Sequence, residues 1–136
     1  MHHLEHIGIA VKDLSISIPL FEKLLNRQCY KTERVESESV NTAFFLVGVS
    51  KIELLESTAP DGVIARFIEK KGEGIHHLAF EVEDIMQEME RLKAEGFVLL
   101  NETPKLGADN KLVCFLHPKT TNSILIELCM EHVQAH

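Results

Sequence analysis

The chain is written twice. Laying "HLAFEVEDI" (77–85) over "HIGIAVKDL" (6–14), an offset of 71, sets His77 on His6, Val82 on Val11 and Asp84 on Asp13. Apolar residues match elsewhere in the overlay, and the halves end alike, "IELLE" at 52–56 against "IELCM" at 126–130. An internal repeat fixes architecture before any single element does. Alternation predicts a strand over 4–11, and Asp13 is a good N-cap for a helix over 14–26, with Pro19 kinking or delaying it. Strands are expected around 28–36, 40–48 and 51–56, a turn at "APDG" (59–62) and a short helix over 63–72. The pattern then restarts with the strand "IHHLAFEV" and the cap Asp84. A helix over 85–96 follows, with Ile85, Met89 and Leu92 on its apolar side, then strands near 97–101, 111–116 and 122–130. The expected fold class is α+β: one domain, 1–136, of two tandem βαβββ modules, about 1–72 and 73–136, whose inner strands form a curved mixed sheet around a metal-binding groove.

Composition narrows the partners. A net charge of −7 with scattered Lys and Arg argues against nucleic acid, which needs a basic face to displace counterions. No apolar run reaches the ~18–20 residues that cross a bilayer, and no charged leader precedes an apolar core, so a cytoplasmic location is expected. The three cysteines have no CxxC spacing, and Cys114 and Cys129 read as small apolar strand residues. His2, His3, His132 and His136 are expected to be exposed.

Period two picks out the chemistry. His6, Gly8 and Ala10 share one strand face, and His77 shares a face with Ala79, so each histidine is followed on its own side by small residues. Glu53 lies between Ile52 and Leu54, and Glu127 between Ile126 and Leu128. A carboxylate buried without a partner costs several kcal/mol. Taken one at a time, a strand histidine is more often a hydrogen-bonded structural residue, and a lone glutamate in "IEL" more often faces solvent. Recurrence of the His-and-Glu pair in both halves favours a shared role. Two imidazoles and two carboxylates are all satisfied by a single divalent cation, and nitrogen and oxygen ligands suit Co²⁺, Mn²⁺, Ni²⁺, Zn²⁺ or Mg²⁺. The register selects His77, not His76, which points to the other face and reads as a structural or surface residue.

Five blocks, "HIGIAVKDL", "NTAFFLVGVSKIELLE" (41–56), "FIEKKGEGIHHLAFEVEDI" (67–85), "PKLGADNKLVCFLHPK" (104–119) and "ILIEL" (124–128), are spread along essentially the whole chain. In this order they resemble the methylmalonyl-CoA epimerases of the vicinal-oxygen-chelate superfamily. The resemblance implies metal ligands at His6, Glu53, His77 and Glu127, the second being Gln in some members, with cobalt first among the metals. It implies epimerisation at C2 of (2R)- and (2S)-methylmalonyl-CoA in propionate metabolism. One carboxylate removes the C2 proton, one returns it to the other face, and the metal stabilises the enolate charge. Glu127 is the expected base, with Glu53 across the pseudo-twofold, or Glu36 or Glu38 of "VESESVNTAFF", serving the second face. Lys105, Lys111 and Lys119 are candidates for the CoA phosphates, each against the ordinary reading of a solvated surface lysine. His117 reads as a loop-packing residue. "GADN" departs from relatives that often carry a glycine after the loop's polar residue. Relatives are usually homodimers. A glyoxalase I-like isomerase and a metal-free binding protein of the same fold are the rival readings, the second disfavoured by the four ligands. An extradiol dioxygenase fits least, since that chemistry uses two His and one carboxylate.

Overall fold

A computed structural model describes residues 1–132. The chain divides into two compact units, His6–His76 in one, and Met1–Glu5 with the chain from His77 onward in the other. The division falls beside the two histidines of the repeat.

The unit His6–His76 holds most of β1 (His3–Ala10), then α1 (Leu14–Leu25), β2 (Lys31–Val35), β3 (Val40–Val47), β4 (Ser50–Ser57) and α2 (Val63–Lys71). Its strands are ordered β2-β3-β4-β1, antiparallel except for the parallel pair β1 and β4. α1 starts where Asp13 accepts a hydrogen bond from the Ser15 N–H at 2.9 Å. Pro19 does not delay the helix. It sits inside α1 on the exposed side, where the Ser15 carbonyl that loses its donor is open to water. Ile9, Val11, Ala43, Phe45, Ile52 and Leu54 pack against Leu14, Ile18 and Phe21 of α1.

The other unit holds most of β5 (Gly74–Glu81), α3 (Ile85–Ala94), β6 (Lys105–Leu106), β7 (Lys111–Leu116) and β8 (Ile126–Glu131). β5 runs parallel to β8, and β8-β7-β6 continue antiparallel. The chain start lies along β5, the His2 N–H donating to the Glu81 carbonyl at 2.8 Å. Asp84 caps α3 through the Gln87 N–H at 3.1 Å. The core, Val82, Ile85, Met89, Leu92, Cys114, Leu116 and Leu128, repeats the first unit's position by position: Ile85 for Leu14, Met89 for Ile18, Leu92 for Phe21, Leu116 for Phe45. In both units the apolar strand face carries the helix. The histidine face is turned away from it. The α+β class and the two βαβββ modules are therefore as read from the repeat.

Three strand expectations shift. The strand expected from 28 begins at Lys31. The stretch 97–101 makes only an isolated bridge, Leu99 with Leu116, and the module's second strand is the two-residue β6. Phe97 and Leu99 insert into the core from what is otherwise a loop, so their alternation imitates a strand. β8 starts at Ile126, not 122, because Asn122 and Ser123 sit at φ 54° and 68°, in the left-handed region that no strand contains.

Candidate functional site

Each unit carries one buried imidazole–carboxylate pair, built the same way. In the first, the parallel register sets Glu53 opposite Gly8, the small residue two after His6 on its own face. In the second, Glu127 stands opposite Ala79, two after His77. With no bulky side chain at Gly8 or Ala79, the glutamate leans toward the histidine. His6 Nε2 lies 3.7 Å from Glu53 Oε1, and His77 Nε2 lies 3.4 Å from Glu127 Oε1. All four residues are 4–6% exposed.

Those separations are longer than the roughly 2.7–3.2 Å of an N–H···O hydrogen bond. They approach the spacing of two ligands on one ion, since bonds of about 2.1 Å at octahedral to tetrahedral angles put the ligand atoms roughly 3.0–3.4 Å apart. The donor set, neutral nitrogen plus carboxylate oxygen without thiolate, suits a borderline or hard divalent cation. Each pair fits half of such a site.

The next strand over is also repeated. Phe44 is the register partner of Glu53, and Phe115 of Glu127. The Phe115 ring meets the His77 ring edge-on, centroids 6.3 Å apart. Each phenylalanine carries an ammonium group: Lys31 Nζ lies 5.5 Å from the Phe44 centroid, and Lys105 Nζ 5.7 Å from that of Phe115. Lys31 escaped the sequence reading, although the repeat signals it: Lys31 precedes Lys105 by 74 residues, the same offset that separates Glu53 from Glu127.

The three lysines singled out from sequence part ways. Lys105 and Lys119 are exposed. Lys111 is 5% exposed, its ammonium 2.7 Å from Glu131 Oε1 and 3.9 Å from Glu81 Oε1. His117 packs its own loop, its Nδ1 accepting the Lys119 N–H at 3.0 Å. Glu36 and Glu38 lie in a 3₁₀ turn (Glu36–Glu38), the exposed Glu36 paired with Arg34 Nε at 2.7 Å and Glu38 partly buried. His76 stacks edge-on against Phe67, centroids 4.9 Å apart. Burial pushes its pKa down to about 4, the Glu38 charge opposing and Lys71 adding to the fall. That environment is a packed structural histidine's, as expected of the residue that faces away from His77.

All three cysteines are free thiols, Cys114 and Cys129 buried in strands. Burial pushes the Cys114 thiol up to about 11 and raises that of Cys129 as well, with the charges of Glu127 and Glu5 contributing there. Among the exposed histidines expected from sequence, His2 is exposed, whereas His3 and His132 are partly covered; His136 lies outside the described residues. Among those residues no helix is long and apolar enough to cross a membrane.

Each βαβββ module thus carries a buried His–Glu couple whose nitrogen and oxygen donors could bind a metal ion. Comparison with known proteins shows the family. Residues 5–115 match the model of the Glyoxalase/Bleomycin resistance protein/Dioxygenase superfamily, and the chain belongs to that superfamily. The ethylmalonyl-CoA/methylmalonyl-CoA epimerase of Cereibacter sphaeroides is 39% identical over 127 residues, 92% of this chain and 95% of the relative. The solved methylmalonyl-CoA epimerase of Mycobacterium tuberculosis superposes with a TM-score of 0.91 at 32% identity, covering 96% of this chain and 89% of that one. A methylmalonyl-CoA epimerase solved with methylmalonyl-CoA and NH4+ superposes at 0.93 with 29% identity, covering 98% and 96%. The chain is thus a homologue of epimerases along nearly its whole length.

Proposed function

We propose that the protein is a metal-dependent methylmalonyl-CoA epimerase of the cytoplasm, in which His6, Glu53, His77 and Glu127 together hold one divalent cation, cobalt first and Mn²⁺, Ni²⁺, Zn²⁺ or Mg²⁺ as alternatives. The observation that carries this is the recurrence of the buried His–Glu pair at register-equivalent positions of both modules. When bound, the cation supplies positive charge to the thioester oxygen as C2 loses its proton. Everything else falls to the chain. Glu127, held against His77 and screened from water by Phe115, takes the C2 proton on a carboxylate oxygen. A second carboxylate returns a proton to the opposite face, and Glu53 is first in line because it occupies the same register position in the other module. Glu36 and Glu38 are alternatives, Glu36 exposed and Glu38 partly buried.

The acyl-CoA substrate is anionic and so is this chain, so local cations must receive it. Lys105 and Lys119 are exposed for that role, joined by Lys31 beside the Glu53 row. Lys111, committed to Glu131 and Glu81, supports the module instead.

Conversion of (2S)- to (2R)-methylmalonyl-CoA by the purified protein, stripped of metal and then reconstituted with Co²⁺, Mn²⁺ or Zn²⁺, tests this directly. Activity should vanish with chelator and return with at least one metal. Inactivity with all three, alongside turnover of the hemithioacetal of methylglyoxal and glutathione, would transfer the site to the glyoxalase reaction.

A further inference from the structure

The sheet face that carries α1 has a polar corner in the first module only. Arg34, Asn41 and Glu56 are register neighbours across β2, β3 and β4. Glu56 lies three residues beyond Glu53, so this row is on the side of the sheet opposite the His6–Glu53 couple. With Asp13, Ser15 and Thr32 it lines a solvent-open cleft of about 490 Å³ beside the start of α1. The repeat supplies an internal control. The register-equivalent row of the second module is Leu106, Leu112 and Met130, and Met86 stands where the first has Ser15. Every one of these is apolar, and Met130 packs on the core. A helix start beside this corner of the sheet therefore needs no charge. Glu56 does part of the fold's work, its Oε2 accepting the Leu14 N–H at 2.9 Å, but Arg34 and Asn41 make no such contact with α1.

The charges of the cleft are not matched inside it. Asp13 takes both Ser15 hydrogen bonds, at 2.9 and 2.7 Å, on Oδ1, which leaves its Oδ2 and Glu56 Oε1 facing no protein donor among the described residues. Among those residues the Arg34 guanidinium pairs with Glu36, through Nε at 2.7 Å, and with neither carboxylate of the cleft. Glu33, between Thr32 and Arg34, turns to the other face, its carboxylate 3.6 Å from Lys31 Nζ. We propose that the cleft binds a free diamino acid of the lysine or ornithine type, its carboxylate on Arg34 and its two ammonium groups on Asp13 and Glu56. Two carboxylates and one guanidinium are answered group for group by two ammoniums and one carboxylate. A neutral zwitterion leaves one acid unmatched, and a diamine leaves the arginine unmatched. Asn41, between Arg34 and Glu56 in the row, offers both a donor and an acceptor to the ligand's charged end. Ion pairs in an open cleft are screened, so an affinity of about 0.1–10 mM is expected. The inference stands apart from the epimerase reading, since the row faces away from the His–Glu couple.

The full chain, labelled with heavy nitrogen for amide NMR, tests it by titration with L-lysine, L-leucine and cadaverine at constant ionic strength. With L-lysine the amides of Leu14, Ser15, Arg34 and Asn41 should shift along one saturating curve. Leucine lacks the second ammonium and cadaverine the carboxylate, so each should bind about tenfold more weakly or worse. Arg34→Leu and Asn41→Leu carry the residue that the second module holds at both positions. They should weaken L-lysine by about tenfold and about threefold respectively. No saturable shift at these amides, equal affinity for all three ligands, or undiminished binding by Arg34→Leu would each overturn the proposal. The wild-type titration needs no substitution, so it decides the matter even where a variant misfolds.

Discussion

The two modules agree at one end of the histidine face and disagree at the other. Beside the His–Glu couple, Gly8, Phe44 and Lys31 answer to Ala79, Phe115 and Lys105. Further along the same face, two residues on in the first strand of each module and four in its last two, the first module has Ala10, Val40 and Ser57, all neutral. The second has Glu81, Lys111 and Glu131 in an ion cluster around a buried ammonium. Duplication alone would leave both ends equally free to drift. The end where the two modules still match is the one that holds the buried carboxylates and their histidines. The far end does local structural work and is solved differently in each half.

Replacing the carboxylates separates the halves most sharply. Glu127→Gln should lower epimerase kcat by about 10²–10⁴-fold and abolish exchange of the C2 hydrogen with solvent deuterium. Glu53→Gln keeps a ligating oxygen, so a loss of about tenfold or less is expected if Glu53 is only a ligand. A loss as large as that of Glu127→Gln makes Glu53 the second base, whereas a small loss moves that role to Glu36 or Glu38. Deuterium wash-in on each substrate epimer reads the two faces independently.

In the cores the halves should instead behave alike. Leu54 and Leu128 are fully buried at matching positions, and truncating either to Ala should cost about 2–5 kcal/mol in urea denaturation. A marked inequality would show that one half folds around the other. Lys111→Met, with no counterpart in the first module, should cost about 1–3 kcal/mol by leaving Glu81 and Glu131 without their shared cation. Val40→Met at the equivalent position should cost less. The caps give the smallest effects: Asp13→Ala and Asp84→Ala should each remove about 1 kcal/mol.

Much of this was legible because both strand periodicity and the repeat are local signals. Alternation placed Gly8 on the face of His6, and Ala79 on that of His77. The offset then distinguished His77 from His76, whose packing against Phe67 matches the structural reading. Legibility failed where alternation comes from something other than a strand, as at Phe97 and Leu99, which anchor a loop to the core. It failed again at Lys111, which in sequence is one lysine among several in a polar hairpin.

The sequence by itself determined the duplication, the α+β class and the identity of the His–Glu couples, since each follows from spacing along one strand or from one half compared with the other. Tertiary structure alone decided which lysines are solvated, that Glu53 and Glu127 stand opposite residues small enough to let them reach a histidine, and that Lys31 sits over Phe44. Those are relations between neighbouring strands. Sheet neighbours such as Gly8 and Glu53, 45 positions apart, are chosen by register and by the cores that enforce it, and no local pattern encodes that choice.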